Sequence, residues 1–321
     1  MNVTDNALRP ATIDKVIGCE QVKRRIKISI HAAQQRGDVM PHVMFSGPAG
    51  TGKTSLALCV ANAVGTNLVI ANAASLKEPK DLFISLKNME RGDVFLIDEI
   101  HQLPRKLEDF MLTVMEDFRF DVPFGSSRNK VISSYDLEKF TLIGATTHVG
   151  LVAPPLRDRF RFKEELSLYS VDELAHIIAI NAGKLGRNIQ DEAAKAIAIR
   201  SRGTPRISVN HLMWVRDFAH YEGSTTIDTG IVERAMEEKG IDRMGLVDVD
   251  RRYLSVLFNL YDGGPTGLQT MASSLNTVPE TLAESVEPYL MQIGLIARSS
   301  TGRCLTTAGL KYCKNMFCKT H

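Results

Sequence analysis

The chain has 321 residues, of which 44% are apolar and 24% charged, and a formal net charge of +2. This length predicts about two or three domains, and the nearly balanced charge excludes a uniformly basic coat, so any DNA contact must come from a local patch. The N-terminus has no basic-then-apolar leader, no apolar run is long enough to span a bilayer, and the cysteines form no CxxC pair, so we predict a reduced, cytoplasmic protein.

A short apolar strand pattern runs into the sequence GPAGTGKT and then into a helical pattern. The spacing GxxxxGK[ST] in this strand, loop and helix context is a specific phosphate-binding signal. Its glycines let backbone N–H groups surround phosphates, and the helix N-terminus adds its positive end. We expect Lys53 to reach the outer phosphates and Thr54 to offer a hydroxyl to Mg²⁺. The candidate nucleotide-binding residues are Gly47, Pro48, Ala49, Gly50, Thr51, Gly52, Lys53, Thr54 and Ser55.

Two carboxylates, Asp98 and Glu99, follow the apolar run VFLI. Alone, such a pair is typical of a solvated turn. Behind a buried strand and after a phosphate loop, Asp98 is instead predicted to hold Mg²⁺, directly or through water. Glu99 is predicted to polarise the water that attacks the γ-phosphate. The sequence therefore predicts ATP and Mg²⁺ as the cofactors.

An inserted hairpin is predicted at about residues 118–138, in the stretch FRFDVPFGSSRNKVISSYDLEKF. Phenylalanine and valine alternate with polar residues, a polar turn follows, and VIS supplies a return strand. A buried structural hairpin is the alternative to an exposed, partner-binding one.

The candidate site also includes two threonines at the end of the strand predicted in KFTLIGATT, and several arginines. Thr146 or Thr147 could bind the γ-phosphate or position water, with helix capping as the alternative. Arg157 and Arg159 in PPLRDRF could form surface ion pairs, or could be delivered to ATP on a neighbouring subunit. Arg206 follows a Gly-Thr-Pro turn that suits the start of a helix.

Periodicity divides the chain into three regions. Residues 1–168 alternate strands and helices, which favours a doubly wound α/β domain. Residues 169–243 form amphipathic helices, as expected of an all-α lid domain. Residues 244–321 read as three helices and a hairpin, which indicates a winged helix. The predicted fold class is an α/β P-loop ATPase core followed by an all-α lid domain and a C-terminal winged-helix domain.

Charges in the predicted winged helix favour contact with the DNA backbone over base reading. Glu280, Glu284 and Glu287 are spaced by four and three residues, so they should share one helix face and repel phosphate. Arg298, and especially Arg303, are expected to touch phosphates from the wing without reading sequence. A solvated basic tail is the alternative.

The P-loop, LIDEIH, GATT, LRDRF and GTPRI, in this order, resemble the AAA+ ATPases. With the opening LRPATIDKVIGCEQVKRRI and the later EPYLMQIGLIAR, they resemble the RuvB family over about residues 8–309. The resemblance implies a hexameric, ATP-driven DNA motor that promotes branch migration of Holliday junctions in homologous recombination and repair. It also implies a RuvA-type junction-binding partner.

The resemblance also implies roles for individual residues. Sensor 1 would be Thr146 or Thr147, the trans-acting arginine finger Arg159, and the sensor 2 arginine Arg206, next to Pro205. Tyr169 would close over the nucleotide. The adenine pocket would be formed around Leu8, Arg9, Pro10, Val16 and Ile17. The hairpin would dock on the partner through Val122, Phe124, Val131 and Ile132.

The sequence departs from the family pattern at several places. It reads GPAGTGKT where GPPGLGKT is usual, His148 where Arg follows GATT, and Phe160-Arg161 where RFG is usual. These differences favour a divergent member with altered subunit or partner surfaces. The alternative function is a clamp-loader-like or initiator-like AAA+ protein, which binds DNA under nucleotide control without continuous pulling.

Overall fold

The computed structural model describes residues 7–124 and 131–317, and of residues 122–124 and 131–133 it describes the backbone only. The chain separates into two compact units. The first runs up to Gly186 and includes Gly203–Asn210, and the second comprises Arg187–Arg202 and the residues from His211 onward. Within the described ranges, no helix is both long and apolar enough to cross a membrane.

The first unit is built on a five-stranded parallel sheet. Its strands are β1 (Val43–Ser46), β2 (Leu68–Asn72), β3 (Val94–Asp98), β6 (Thr141–Thr146) and β7 (Phe162–Glu165). They lie in the order β2-β3-β6-β1-β7. Phe95 and Ile97 enter one hydrophobic core, whereas Val94 and Leu96 enter another. Both faces of β3 are therefore covered, which explains its unbroken apolar sequence.

Helices supply the rest of both cores. They are α1 (Glu20–Gln35), α2 (Lys53–Val64), α3 (Pro79–Leu86), α4 (Arg105–Asp117), α5 (Pro154–Arg159) and α6 (Val171–Lys184). A capping box starts α6: the Ser170 hydroxyl accepts from Glu173 N at 3.2 Å, and Ser170 N donates to the Glu173 carboxylate at 2.8 Å. The cap fixes where this helix begins.

A two-stranded hairpin lies between α4 and β6. Strand β4 (Arg119–Phe124) pairs antiparallel with β5 (Val131–Asp136). Near the base, Phe120 is fully buried and stacks on Phe110 with ring centroids 5.5 Å apart. The base of the hairpin is thus part of the core. The partner-binding prediction names Val122, Phe124, Val131 and Ile132, whose side chains lie outside the described residues.

The second unit has two parts, a group of helices with two short strands and a winged helix. Its first part contains α7 (Asp191–Ile199), most of α8 (Pro205–Tyr221), α9 (Thr229–Glu238) and the short parallel strands β8 (Asn188–Ile189) and β9 (Thr226–Ile227). Trp214 of α8 donates its indole N–H to Ala235 O of α9 at 2.6 Å, which ties the two helices together.

The second part of this unit has winged-helix architecture. It contains α10 (Asp248–Asn259), α11 (Leu268–Leu275), α12 (Pro279–Thr281), a π-helical turn (Leu282–Val286), α13 (Glu287–Gln292), β10 (Ile296–Ser299), β11 (Gly302–Leu305) and α14 (Thr307–Phe317). Strands β10 and β11 pair antiparallel and form the wing.

Two features of the winged helix differ from the sequence prediction. Glu287 does not share an exposed face with Glu284, because it is fully buried at the start of α13. The alternative of a solvated basic tail does not describe Thr307–Phe317, which form a helix that was not predicted, α14, whose Cys313 is fully buried in the local core. Gly309 allows this packing, since a Cβ there would meet Leu295 O at 2.0 Å.

Candidate functional site

The phosphate loop between β1 and α2 has a backbone that only glycine adopts readily. Gly47, Gly50 and Gly52 have φ values of +134°, +78° and +100°. A Cβ on Gly47 would also meet the carbonyl of Leu166 at 2.1 Å. The glycines of the motif therefore allow the backbone to curl before the helix, which is the geometry of an anion-binding nest.

Lys53, at the first turn of α2, lies over this loop. Its Nζ donates to Gly47 O at 2.8 Å and to Pro48 O at 2.9 Å, and the residue is 6% exposed. Burial lowers the pKa of Lys53, while the carboxylates of Glu99 and Asp98 oppose that shift. The ammonium group is therefore held where the outer phosphates of a nucleotide would approach the loop.

Two oxygen ligands suited to Mg²⁺ lie beside the lysine. The Thr54 hydroxyl is 3.4 Å from Asp98 Oδ2, and Asp98 Oδ1 accepts from the backbone N–H of Glu99 at 3.1 Å. Mg²⁺ prefers a few hard oxygen ligands together with water and substrate phosphate. The residues therefore fit this ion.

Glu99 lies at the carboxyl ends of two neighbouring parallel strands, β3 and β6. It adopts a left-handed conformation with φ +51°. Its Oε2 accepts from Thr147 N at 3.2 Å and from the Thr147 hydroxyl at 3.0 Å. Thr146 is fully buried and contacts His101 Nδ1 at 3.0 Å. Of the two candidate threonines, Thr147 is the one that contacts Glu99.

The predicted adenine-pocket segment lies against α2 and α6. Leu8 and Val16 are buried, and the carbonyl of Pro10 accepts from the Cys59 thiol at 3.3 Å. Lys184 of α6 donates to Leu8 O at 3.1 Å. Arg9 and Ile17 are half-buried. This segment is thus anchored to the helix that begins at the phosphate loop.

Tyr169 and Arg206 both contact the phosphate loop. The Tyr169 hydroxyl donates to Thr51 O at 3.2 Å, and the backbone N–H of Arg206 donates to Gly50 O at 3.4 Å. The Arg206 side chain is exposed at the first turn of α8, directly after Pro205. The structure therefore brings both predicted residues to the loop.

Arg159 lies elsewhere, at the end of α5. Its exposed guanidinium forms an ion pair with Glu116. It also lines a cleft of about 510 Å³ together with Arg36, Lys139 and Arg161. The sequence prediction named Arg159 but did not anticipate this cationic surrounding, which includes the unusual Arg161.

Both predicted DNA-binding arginines contact the same buried carboxylate. Arg298 donates to Glu287 Oε2 at 2.7 Å and Arg303 donates to Oε1 at 2.9 Å. The Arg298 side chain is 48% exposed, whereas that of Arg303 is 17% exposed. The geometry therefore leaves Arg298 more available to a phosphate than Arg303.

The sequence prediction missed His101 and Glu116, and it named His148 only as a departure from the family pattern. His101 was visible as the last residue of LIDEIH, three positions after Asp98, and His148 as the residue that follows Thr147. The contacts of the two histidines with Thr146, Thr147 and Glu99 depend on the pairing of β3 with β6. Proximity in sequence alone did not indicate them.

The phosphate loop and the carboxylate pair that faces it define a P-loop ATPase. The winged helix is a second domain, of a class that binds DNA. Family models match the chain over three consecutive ranges. They are the Holliday junction DNA helicase RuvB P-loop domain over residues 8–166, the RuvB AAA lid domain over 169–242 and the RuvB C-terminal winged helix domain over 243–314.

Curated relatives and solved structures agree with these matches. The Holliday junction branch migration complex subunit RuvB of Kosmotoga olearia is 44% identical, over 95% of this chain and 89% of the relative. The subunit of the same name from Rhodopirellula baltica is 41% identical, over 97% and 85%. The Thermotoga maritima RuvB Holliday junction branch migration motor superposes with a TM-score of 0.84 at 40% identity, over 96% of this chain and 98% of the other. The chain belongs to the RuvB family of AAA+ ATPases, and the predicted family and fold class are confirmed.

Proposed function

We propose that this chain is the ATP-hydrolysing subunit of a DNA motor that promotes branch migration of Holliday junctions during homologous recombination and repair. The observation that carries the proposal is the position of Glu99. It accepts a hydrogen bond from Thr147 at the carboxyl ends of β3 and β6, beside Asp98 and Lys53. Relatives of this chain are named as branch migration complex subunits, and the winged helix would supply a separate surface for DNA.

The residues around the phosphate loop would each have one role in hydrolysis. Lys53 leaves the carbonyls of Gly47 and Pro48 and binds the outer phosphates of ATP. Thr54 and Asp98 hold Mg²⁺, which, when bound, neutralises phosphate charge. Glu99 takes a proton from the attacking water, as a general base placed within hydrogen-bond reach.

Other residues would hold the nucleotide and report its state. Leu8, Arg9, Val16 and Ile17 form the adenine pocket, and Tyr169 closes over the nucleotide. Thr147, with Thr146 behind it, is the sensor at the end of β6. Arg206, beside Pro205, links the nucleotide to the lid domain.

Arg159 would act on ATP bound by a neighbouring copy, in a hexameric ring. This role requires that it leave Glu116, and an exposed pair of this kind is worth only about 0–1 kcal/mol. Release therefore costs little free energy compared with what an arginine finger contributes. By stabilising the charge of the transition state, such an arginine raises the rate about 10³- to 10⁵-fold.

DNA and partner contacts would come from two further surfaces. Arg298 and Arg303 bind phosphates of duplex DNA, and the hairpin binds a RuvA-type junction-binding protein. If Phe124→Asp left binding to that protein unchanged in a pull-down, hairpin docking would be wrong. Three domains, 1–168, 169–243 and 244–321, and a cytoplasmic location complete the proposal.

Branch migration itself tests the proposed function. A labelled synthetic four-way junction is incubated with ATP, a RuvA-type protein and either the native chain or Glu99→Gln. We expect the native chain to separate the arms and Glu99→Gln to bind ATP without moving the junction. If the native chain hydrolyses ATP on DNA yet moves no junction, with or without the partner, the loader-like or initiator-like alternative replaces the motor.

A further inference from the structure

Two imidazoles lie near Glu99: His101 contacts its carboxylate, and His148 contacts the hydroxyl of Thr147, which is bonded to that carboxylate. His101 Nδ1 lies 3.3 Å from Glu99 Oε2 and 3.0 Å from the Thr146 hydroxyl. His148 Nδ1 lies 2.9 Å from the hydroxyl of Thr147. The two rings are neighbours, with centroids 5.0 Å apart and planes at 60°.

The backbone adds further hydrogen bonds to this cluster. The N–H of His148 donates to the Thr146 hydroxyl at 3.0 Å, and the N–H of Thr147 donates to Glu99 Oε2 at 3.2 Å. Two successive backbone N–H groups of the loop after β6 thus hold the Glu99 carboxylate and the Thr146 hydroxyl.

The positions of the protons follow from the donors and acceptors. A carboxylate only accepts, so the Thr147 hydroxyl must donate to Glu99 Oε2. That hydroxyl has one proton, and its contact with His148 Nδ1 therefore requires that the ring donate an Nδ1–H to the hydroxyl oxygen. His148 acts on Glu99 through Thr147.

The proton on the His101 ring is fixed in the same way. Burial lowers the pKa of His101, with the Glu99 carboxylate opposing and His148 assisting, so the ring is neutral and has a single N–H. A lone pair on Nδ1 would face the carboxylate oxygen at 3.3 Å and be repelled, whereas an Nδ1–H is shared by Glu99 Oε2 and the Thr146 hydroxyl. His101 therefore donates directly.

We propose that His148 and His101 are positioning residues that fix the general base Glu99 by holding its Oε2, so that Oε1 faces the attacking water. The three contacts that reach the Glu99 carboxylate, from the Thr147 N–H, the Thr147 hydroxyl and His101 Nδ1, all fall on Oε2. Holding one carboxylate oxygen with several donors limits rotation of the other, and such preorganisation lowers the cost of reaching the transition state. The proposal rests on the proposed role of Glu99 as the base.

His148 is the better residue for a test because it is exposed and its replacement should not disturb the core. Asparagine places an amide N–H near the position of ring Nδ1, whereas glutamine places it one bond further out. His148→Asn and His148→Gln are therefore a matched pair that differs in whether a donor reaches Thr147. His148→Ala removes the donor altogether.

The experiment measures single-turnover ATP hydrolysis and the KM for ATP in the full chain on DNA. We expect His148→Ala and His148→Gln to lower the hydrolysis rate about fivefold at unchanged KM, as for loss of one hydrogen bond, and His148→Asn to restore most of the rate. Equal behaviour of the asparagine and glutamine variants, an unchanged rate in the alanine variant, or a change in KM instead of rate would overturn the proposal.

Glu99→Gln in the same assay distinguishes a wrong base from a wrong positioning role. If Glu99→Gln hydrolyses ATP readily, the proposed base is wrong. If Glu99→Gln is inactive but the His148 variants match the native chain, the base stands and only the positioning role fails. Adding His148→Ala to Glu99→Gln should cause no further loss, since the two changes act on one group.

Discussion

Replacement of Glu287 by glutamine should destabilise the winged helix while the side-chain volume is kept. The carboxylate is fully buried and accepts from the Tyr253 hydroxyl at 3.0 Å, from Arg298 at 2.7 Å and from Arg303 at 2.9 Å. The amide of glutamine would turn a donor towards these donors and leave two guanidinium groups without their anion. Both effects raise the free energy of the folded state and so lower the free energy of unfolding.

The magnitude follows from how far each partner is exposed. Removing one member of a buried ion pair costs about 3–5 kcal/mol. Arg298 is half exposed and can turn to water, whereas Arg303 is 17% exposed and Tyr253 is fully buried. We therefore expect a loss at the lower end, about 3 kcal/mol, which corresponds to roughly 100-fold faster exchange of protected amides.

Hydrogen exchange read by mass spectrometry over Asp248–Asn259 and Glu287–Gln292 measures this change locally. Glu284→Gln is the matched control, because Glu284 lies in the same segment and is exposed. The control should stay within about 0.5 kcal/mol of the native chain. If Glu287→Gln exchanged as slowly as the native chain at pH 7, or no faster than Glu284→Gln, the carboxylate would not stabilise this domain.

The same group predicts a dependence on pH. Burial raises the pKa of Glu287, but hydrogen bonds from Arg303, Arg298 and Tyr253 outweigh burial and hold the pKa below its ordinary value of 4.5. Because the folded pKa is the lower one, the stabilisation is present above the unfolded pKa and is lost as the pH falls through the folded pKa. The difference between the native chain and Glu287→Gln should therefore be full at pH 7 and shrink in acid.

Two further predictions concern the nucleotide and the DNA. Gly50→Ala and Gly65→Ala impose similar strain, at φ +78° and +83°, but only at Gly50 would the new Cβ meet a neighbour, Thr204 Cγ2 at 2.7 Å. Both variants should lose about 1 kcal/mol of stability, and only Gly50→Ala should also weaken ATP binding, as measured by titration with a fluorescent nucleotide; equal ATP affinities would contradict this. Arg298→Ala should lower the slope of log affinity against log salt for duplex DNA by about 1, with little dependence on sequence, and Arg303→Ala should lower it less. Equal slopes for the native chain and Arg298→Ala, or a strong sequence preference, would exclude a phosphate contact there.

The nucleotide site was predictable because its chemistry is local in sequence. The phosphate loop is one contiguous motif, and Asp98 and Glu99 end a strand whose apolar run marks it as buried. The partners of Glu99 were not predictable to the same degree. They depend on which strand lies next to β3. The sequence did not indicate whether Thr146 or Thr147 contacts Glu99, and the pairing of β3 with β6 places Thr147 against the carboxylate.

The winged helix shows why periodicity failed at one residue. A regular helix would place Glu287 on the face of Glu284, but the chain forms a π-helical turn at Leu282–Val286 and begins a new helix at Glu287. Pro288 has no N–H to continue the regular hydrogen-bond ladder, and a π-turn inserts the equivalent of one residue. The face of Glu287 therefore rotates inwards to the arginines.

Helix α14 was missed for a different reason. Its lysines and the glycine in its first turn resemble a polar tail by composition. The signal for a helix was present in the apolar spacing of Leu310, Cys313 and Phe317 and in the cap at Thr306, whose hydroxyl accepts from Gly309 N at 3.0 Å.

The proposed motor is a ring in which one copy completes the nucleotide site of its neighbour. It is tested most directly by DNA-stimulated ATP hydrolysis of Glu99→Gln, of Arg159→Ala and of an equal mixture of the two. Each variant alone should be almost inactive, whereas the mixture should regain hydrolysis, because mixed rings contain sites with Glu99 from one copy and Arg159 from the next. A mixture as inactive as its components, from chains shown to co-assemble, would contradict the shared site and with it the ring motor.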